Sequence, residues 1–334
     1  MKRKNVYYLG SQPPPYGGVT VKNQLLSEVL CKHCKVYRSK NNNSTAQATH
    51  IIKGILFGKY FLIGSGTNQK LINLAILLKL VCRKKMNKSI VFVMGGTLSE
   101  CLHKNTGVLK FFNNFRWIYV ETDGMMEKLK KIGLLNVSVL PNCRKKPELK
   151  LVPENSTGIL RCVFFSLISK SKGADNVLAA AKILSDIQFD FYGHIDDIYC
   201  KEFLSNVGNL KNVEYKGVFM AHSNQAVFEK LHEYDLLLLP TRWVNEGVPG
   251  VLVEAKIAAL PAVVSNICYN AEIVEDGVSG VVLEANSVQE LSKAIKRLDS
   301  DRNLLLKLKN GAKESAKKYY IENYLPDILM KMEL

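Results

Sequence analysis

Short apolar segments rich in β-branched and aromatic residues alternate with amphipathic segments along the whole 334-residue chain. Buried strands that alternate with helices form parallel sheets with helices on both faces. The first half contains strand candidates at 6–9, 35–37, 60–63, 90–94, 117–120 and 137–140. The second half contains them at 160–165, 189–192, 213–215, 236–239, 262–264 and 281–283. The pattern therefore predicts an α/β protein built from doubly wound parallel sheets.

A polar, proline-containing stretch at 141–156 separates the two groups of strands. The length of the chain suits two domains of about 150 residues each. Helices are predicted at 19–30, 71–80, 124–131, 174–184, 250–259, 288–298 and 303–318. We therefore expect Rossmann-like domains at 1–146 and 147–318. A cleft between the carboxyl ends of their strands is the expected ligand site, as in other such sheets.

Positive charge is concentrated in the first half of the chain. Residues 1–150 contain 26 Lys and Arg against 6 Asp and Glu, which gives +20, whereas residues 151–334 contain 20 against 24, which gives −4. Such a basic half is attracted to nucleic acid, an anionic membrane surface or phosphate-bearing substrates, unless the lysines serve only solubility. Nucleic acid is the least favoured partner because the sequence has no aromatic-interleaved RNA motif and no helix-turn-helix pattern.

The sequence predicts a cytoplasmic protein without a membrane span. Its longest apolar stretch, 71–82, contains Lys79 and is shorter than the ~20 residues that a bilayer requires. The amino terminus continues into a strand and three prolines, unlike a signal peptide. Most cysteines lie in apolar segments, where a thiol acts as a small hydrophobic residue. Cys31 and Cys34 have no second C-x-x-C pair to complete a zinc site.

The strongest chemical signal is the segment 245–255, NEGVPGVLVEA, which follows a buried strand and opens a helix. The helix is expected to begin at Pro249 and Gly250, where unpaired backbone N–H groups and the positive end of the helix dipole favour a diphosphate. Glu254 lies one turn inside this helix, where a carboxylate can accept hydrogen bonds from two vicinal hydroxyls such as those of ribose. Glu246 faces the group on the distal phosphate. An ordinary acidic helix N-terminus is the alternative interpretation.

This region closely resembles the donor-binding half of glycosyltransferase family 4, the glycosyl transferases group 1. The resemblance is carried by 234–241 (YDLLLLPT), by Glu246 and Glu254 eight residues apart, by 260–265 (LPAVVS) and by 272–280 (EIVEDGVSG). It implies the GT-B fold, in which two Rossmann-like domains face a cleft. It also implies transfer of a sugar from a nucleotide-sugar donor with retention of anomeric configuration.

The resemblance assigns roles to individual residues. The carboxylate matching Glu254 holds the nucleotide ribose, and the one matching Glu246 contacts the transferred sugar. The predicted donor-binding residues of this segment are Glu246, Gly247, Val248, Pro249, Gly250, Val251 and Glu254. No metal and no cofactor are expected, because the helix dipole and basic side chains neutralise the diphosphate of a UDP- or GDP-sugar donor.

A looser match covers 164–173, where the family places an Arg and a Lys on the diphosphate. Lys172, before Gly173, matches the Lys, but the Arg position holds Ser166 or Leu167. Lys170 is a candidate substitute that lacks the bidentate fork of Arg. A solvated lysine-rich turn is the alternative interpretation.

The other loose match is the loop after the first strand, 13–20 (PPPYGGVT), where Gly17 and Gly18 permit close approach of a donor phosphate or sugar. One departure from the family is Met94, which stands where many members have a His aimed at the donor sugar. Thr97 or backbone groups would then hold the sugar hydroxyl, and His103 is expected on the surface of a following helix.

The interpretation that we adopt is front-face displacement with Glu246 and Lys172 as the catalytic residues, and with the acceptor in the first domain. The acceptor is expected to be a saccharide, with a lipid-linked saccharide favoured, in bacterial surface-polysaccharide synthesis. The first domain would dock on the inner face of the cell membrane through some of Lys79, Arg83, Lys84, Lys85, Lys88, Lys104 and Lys110. Residues 319–334 are expected to return to that domain. The alternatives are an inactive transferase-like subunit that binds a nucleotide sugar, and a nucleotide-sugar epimerase.

Overall fold

The computed structural model describes residues 3–14, 17–39, 44–148, 151–154 and 158–334, without the side chains of Ser44 and Thr45. Pro15 and Tyr16 of the glycine-containing loop, and residues 149–150 and 155–156 of the expected linker, lie outside the described residues. The chain divides into two units. The first consists of Met1–Lys145, Asn245–Gly250 and Tyr320–Leu334, and the second of Lys146–Val244 and Val251–Tyr319.

The first unit is built on a parallel sheet that has six strands within the described ranges, in the order β2-β1-β3-β4-β5-β6. These strands are β1 (Asn5–Leu9), β2 (Lys35–Arg38), β3 (Tyr60–Ser65), β4 (Ser89–Val93), β5 (Trp117–Val120) and β6 (Val137–Val139). The helices between them are α1 (Gly18–Cys31), α2 (Ser44–Phe57), α3 (Asn68–Val81), α4 (Arg83–Met86), α5 (Leu98–His103), α6 (Thr106–Phe112) and α7 (Asp123–Lys131). In this order β2 lies on one side of β1, and β3 to β6 follow one another on the other side.

The second unit repeats this plan, with six strands among the described residues in the order β12-β11-β10-β7-β8-β9. They are β7 (Arg161–Phe165), β8 (Gln188–Tyr192), β9 (Val213–Tyr215), β10 (Leu236–Leu239), β11 (Ala262–Ser265) and β12 (Gly280–Leu283). The later helices are α8 (Ala174–Ile183), α9 (Cys200–Gly208), α10 (Asn224–His232), α11 (Gly250–Ile257), α12 (Asn270–Ile273), α13 (Val288–Ser300), α14 (Arg302–Ala316) and α15 (Leu325–Lys331). Short 3₁₀ turns occupy Lys170–Lys172, Lys317–Tyr319 and Ile321–Asn323.

The predicted α/β class with doubly wound parallel sheets is confirmed, because every strand pairing in both sheets is parallel. Strands β4, β10 and β11 are buried along their whole length, as their unbroken apolar segments require, whereas the edge strand β2 has exposed ends. Helix α13 shows how local sequence sets an element. Ser287 precedes it and accepts a hydrogen bond from the backbone of Glu290, as N-caps do. Leu291, Ile295 and Leu298 then bury one face at helical spacing.

The C-terminal segment Tyr320–Leu334 belongs to the first unit. Ile328 and Met332 of this segment are fully buried in the apolar core that β1, β3 and β4 share with α1. The hydroxyl of Tyr119 donates to the Asp327 carboxylate at 2.6 Å. The last helix is therefore part of the folded core of the first unit.

Candidate functional site

The order of the second sheet places β7 beside β10, although two strands and three helices separate them along the chain. From this pair the chain continues to β8 and β9 on one side and to β11 and β12 on the other. Ligands of doubly wound sheets bind in the crevice beyond the carboxyl ends of the strands at such a switch point. The lysine-containing loop after β7 and the loop after β10 both begin there.

Hydrogen bonds join these two loops directly. The backbone N–H of Arg242 donates to the carbonyl of Ser171 at 2.7 Å, and the Thr241 hydroxyl donates to the same carbonyl at 3.3 Å. Gly173 has a φ of +81°, and a Cβ there would overlap the carbonyl oxygen of Pro240. Only glycine fits this position, so the loop after β7 is fixed against the end of β10.

Arg242 is a further candidate site residue, which local sequence did not indicate. Its guanidinium pairs with Asp175 at 2.5 Å, donates to Asn176 Oδ1 at 3.2 Å and reaches the carbonyl of Lys170. These partners lie in the first turn of α8 and in the 3₁₀ turn before it, so the guanidinium sits at the start of α8. Its side chain is 37% exposed, which leaves it accessible to a ligand. The sequence feature that could have indicated this residue is the position of an arginine three residues after a buried strand.

The two predicted lysines lie on the same loop but in different settings. Lys170 pairs with Glu202 through an Nζ–Oε2 distance of 2.7 Å and also lies over the ring of Tyr199. Lys172 is half-buried, and its backbone N–H donates to the Ser169 hydroxyl at 3.3 Å, which caps the 3₁₀ turn. The charge of Lys170 therefore already has a carboxylate partner. The structure brings Lys170, Lys172 and Arg242 onto one pair of joined loops.

The segment Asn245–Gly250, which contains Glu246 and Gly247, belongs to the first unit. Both backbone polar groups of Val248 are engaged there. Its N–H donates to Glu121 Oε2 at 3.2 Å, and its carbonyl accepts from Asn142 Nδ2 at 2.9 Å. The other oxygen of Glu121 pairs with buried Lys22 at 2.8 Å. A diphosphate on the Val248 amide would have to replace Glu121 as its partner.

Gly250 has a packing reason to be glycine. A Cβ there would lie 2.5 Å from Nη2 of Arg144, which is only 1% exposed. Arg144 donates in turn to Asn142 Oδ1 at 2.9 Å. Pro249 is buried, while Glu246 and Gly247 are half-buried.

Glu254 and Val251 belong to the second unit and lie on α11. Both are half-buried, whereas their neighbours Leu252, Val253 and Ala255 are buried. Residues three apart share one helix face, so Glu254 and Val251 lie together on the more accessible face of α11. A carboxylate on this face can meet a ligand.

The glycine pair and Met94 belong to the first unit. Gly17 has an extended backbone with φ −170°, and a Cβ built there meets nothing within 4 Å. At Gly18 a Cβ would only touch Asn142 Nδ2, at 3.8 Å. The described protein atoms therefore do not require glycine at either position. Met94 is 6% exposed and packs in the apolar core, so it presents no polar group to a sugar.

Two other residues considered for the absent His lie near β4. Thr97 accepts a hydrogen bond from Asn68 Nδ2 at 2.7 Å. His103 is the exposed last residue of α5. Among the described residues, no three His, Cys, Asp or Glu side chains are grouped so that they could hold a metal ion. In the same residues, none of the helices is both long and apolar enough to cross a membrane.

A match to a known family model lies mainly in the second half of the chain. Residues 156–315 match the family model described as glycosyl transferases group 1. A relative in Escherichia coli, UDP-Gal:alpha-D-GlcNAc-diphosphoundecaprenol alpha-1,3-galactosyltransferase, is 34% identical over 76 residues. That match covers 23% of this chain and 19% of the relative, so the chain aligns with about a fifth of the relative's length.

Solved structures match the chain over nearly its full length. The structure of Anabaena HepE in complex with UDP is 17% identical, with a TM-score of 0.73 and 99% of both chains covered. Sucrose-phosphate synthase from Thermosynechococcus elongatus is 11% identical, with a TM-score of 0.75 and coverage of 98% of this chain and 97% of the other. These likenesses confirm the predicted GT-B fold.

Proposed function

We propose that this chain, which carries a glycosyl transferases group 1 domain at residues 156–315, is a retaining glycosyltransferase that uses a nucleotide-sugar donor. The proposal rests on the positions of Lys172 and Arg242. Both lie on joined loops at the switch point of the second sheet, within the matched segment. A lysine and an accessible guanidinium at the start of a helix suit a diphosphate.

The family's Arg is absent from this chain, where Ser166 or Leu167 occupies its position. We propose that Arg242 takes the role of that Arg. A guanidinium has the bidentate fork that Lys170 lacks, and a diphosphate bound to it would replace Asp175 as its partner. In our proposal Arg242 and Lys172 stabilise the leaving diphosphate, Glu254 holds the ribose, and Glu246 orients the transferred sugar. We favour a UDP-sugar donor, because the E. coli relative is named for UDP-Gal and HepE binds UDP.

The proposed reaction needs no protein nucleophile. The bond between the anomeric carbon and the diphosphate oxygen breaks while a bond to the acceptor oxygen forms on the same face. The proton of the acceptor hydroxyl passes to the departing diphosphate oxygen. The protein contributes orientation and stabilisation of the negative charge that develops on the leaving group.

The test is incubation of the full chain with UDP-glucose, UDP-galactose, UDP-N-acetylglucosamine and GDP-mannose, with and without a saccharide acceptor. We expect release of the nucleoside diphosphate from one donor. An inactive binding subunit would instead show only thermal stabilisation, about 2.7 kcal/mol for a ligand at 100 times its dissociation constant. An epimerase would interconvert donors without an acceptor. Either of those results would overturn the proposal.

The two loop lysines should differ in importance. We expect Lys172→Ala to lower kcat/KM about tenfold or more, as does loss of a charged hydrogen bond. Lys170→Ala should have a much smaller effect, because Lys170, unlike Lys172, does not directly precede Gly173 and the start of α8. Arg242→Lys keeps the charge but removes the fork, so it should impair turnover more than Lys170→Ala. Steady-state kinetics of the three variants check this, and wild-type rates for Lys172→Ala and Arg242→Lys would mean that these loops do not face the donor.

We further propose a lipid-linked saccharide acceptor and peripheral docking of the first half on an anionic membrane. The charge of +20 on residues 1–150 supports the docking. One lysine considered for it must be withdrawn, because Lys85 is 9% exposed and donates to the carbonyl of Gly58 at 2.6 Å. The other candidates are half-buried or exposed: Lys79, Arg83, Lys84, Lys88, Lys104 and Lys110.

Liposome co-sedimentation tests the docking. We expect binding to anionic vesicles at low salt and release at 1 M salt, where the Debye length is ~3 Å. Each Lys near the surface contributes about 1 kcal/mol, so Lys84→Gln with Lys104→Gln should weaken partitioning roughly thirtyfold. Lys201→Gln with Lys211→Gln is the matched control, since both are exposed lysines of the second unit. Protein that stays in the supernatant at low salt would contradict the prediction.

A further inference from the structure

A cavity of about 700 Å³ opens within the first unit, beyond the carboxyl ends of β1, β3 and β4. The sheet order places it at the switch point, where β1 lies beside β3. Its volume is within the ~300–1,000 Å³ of small-molecule sites. Helices α2 and α3 form a mostly apolar wall with Ile51, Leu71, Leu74 and Leu77. Lys70 is the only charged residue among the described lining residues.

The cavity wall continues as an apolar stripe along the outside of α3. Lys70 and Leu77 line the cavity, and Leu80 and Val81 follow at the spacing that keeps residues on one helix face. Leu80 is 80% exposed and Val81 is 63% exposed. A helix of 14 residues is about 21 Å long. A ligand at Lys70 therefore has a continuous apolar path out of the cavity along Leu77, Leu80 and Val81.

The neighbouring helix α2 also carries exposed apolar residues near its end, Ile52, Leu56 and Phe57. Exposed apolar patches of this kind mark interaction surfaces. The segment that builds both helices has no negative side chain to oppose an anion, because residues 29–99 contain twelve Lys and Arg and no Asp or Glu. The electrostatic field around the cavity therefore favours a negatively charged ligand.

We propose that this cavity binds a single-chain lipid phosphate, the polyisoprenyl phosphate that carries the acceptor sugar. Lys70 pairs with the phosphate, and the isoprenyl chain leaves the cavity along Leu77, Leu80 and Val81. The exposed apolar side chains that continue from the cavity lining along α3 form one file, which matches one chain rather than the two of a diacyl lipid; Ile52, Leu56 and Phe57 of α2 are not among the residues that line the cavity. A free saccharide would not bury these side chains, whereas a lipid chain removes their apolar surface from water. This inference rests on the proposed glycosyltransferase function and assigns its acceptor.

The probe is farnesyl phosphate at a concentration below micelle formation, so that adsorption to a membrane is not measured. Farnesol and inorganic phosphate separate the contributions of chain and charge. Calorimetric titration of the full chain should give binding of farnesyl phosphate that Lys70→Gln weakens about tenfold. Lys70→Gln should leave the affinity for farnesol unchanged, whereas Leu77→Asn should lower the affinity for both farnesyl ligands.

Two controls match these variants. Lys131→Gln removes an exposed lysine of α7, and Leu135→Asn removes a leucine that is 80% exposed, both away from the cavity. Both should bind farnesyl phosphate as wild type does. Equal affinity of Lys70→Gln and wild type for farnesyl phosphate would overturn the site, and equal binding of lysophosphatidic acid would overturn the choice of an isoprenyl chain.

Measurements with the donor distinguish a failure of the proposed lipid site from a failure of the proposed glycosyltransferase function, on which the lipid site rests. If UDP stabilises the protein and nucleoside diphosphate is released, yet farnesyl phosphate does not bind, the lipid site is wrong and the glycosyltransferase stands. If farnesyl phosphate binds as expected but no donor is used, the proposed function fails and the cavity remains a lipid-phosphate site.

Discussion

Replacement of Glu254 by alanine should weaken the binding of a nucleoside diphosphate by roughly 1.5–3 kcal/mol, as loss of hydrogen bonds to a charged group does. The proposed role of its carboxylate is to accept hydrogen bonds from both ribose hydroxyls. Glu254 lies on the half-buried face of α11, so its removal leaves no cavity in the core. The variant should therefore fold normally and show its defect in affinity.

Glu246→Ala should give the opposite result, with unchanged nucleoside diphosphate affinity and much lower turnover. Its proposed partner is the transferred sugar, which the nucleoside diphosphate lacks. Titration with UDP and with the UDP-sugar, followed by measurement of kcat, distinguishes the two variants. Glu229→Ala is the control, since this exposed carboxylate on α10 contacts only Gln225 among its described hydrogen-bond partners. Wild-type affinity and wild-type turnover in both Glu254→Ala and Glu246→Ala would reject the two assignments.

The central strands were predictable because they are unbroken apolar segments; β4, β10 and β11 are buried along their whole length. Helix α2 was not predicted, since Thr, β-branched Ile and Gly54 have low helix propensity. Tertiary packing stabilises the helix there. Gly54 is buried, and a Cβ at this position would lie 2.9 Å from the ring of Phe61 on β3. The sequence around Gly54 gives no sign of that contact, because Phe61 belongs to the next strand.

The candidate site was predictable where its residues follow one another along the chain, as in 245–255. It was not predictable where the topology joins distant loops. Arg242 meets Asp175 because β10 lies beside β7, a neighbourhood that follows from the sheet order and not from local sequence. The contact of Glu121 with the Val248 amide was likewise not predictable, because the two residues lie 127 positions apart in the chain.

The second large effect that we expect concerns stability and the buried Lys256 of α11, which is 2% exposed. Its ammonium group donates to the hydroxyls of Ser279 at 2.8 Å and Ser315 at 2.6 Å. Burial, together with the positive charge of nearby Lys318, lowers the pKa of Lys256 from 10.5 to about 7, although the negative charge of Glu275 acts to raise this pKa. The folded protein therefore releases this proton at a pH at which the unfolded chain still holds it.

Between about pH 7 and pH 10.5 the unfolded state thus binds more protons than the folded state through Lys256. The free energy of unfolding should rise with pH in this window, by up to about 1.4 kcal/mol per pH unit, and the same stability is lost as the pH falls from 10.5 to 7. Burial also raises the pKa of Tyr8 and Tyr234. Burial raises the pKa of the Cys34, Cys143 and Cys162 thiols as well, so these thiols lower the stability as the pH approaches 9. All of these groups are present in wild type and in a Lys256 variant, so the difference between the two proteins isolates the lysine.

Urea unfolding of wild type and Lys256→Met at pH 6, 7, 8 and 9 measures this contribution. The chain has two tryptophans, and a Trp117→Phe background leaves Trp243 as the reporter in the second unit, where Lys256 lies. The free energy of unfolding of wild type, measured relative to that of Lys256→Met, should rise by roughly 2–3 kcal/mol from pH 7 to pH 9, because the variant lacks only the titration of Lys256. Lys293→Met, at an exposed position of α13, should keep the wild-type pH dependence. Equal slopes in Lys256→Met and wild type would mean that the buried lysine keeps its proton throughout, held by Ser279 and Ser315.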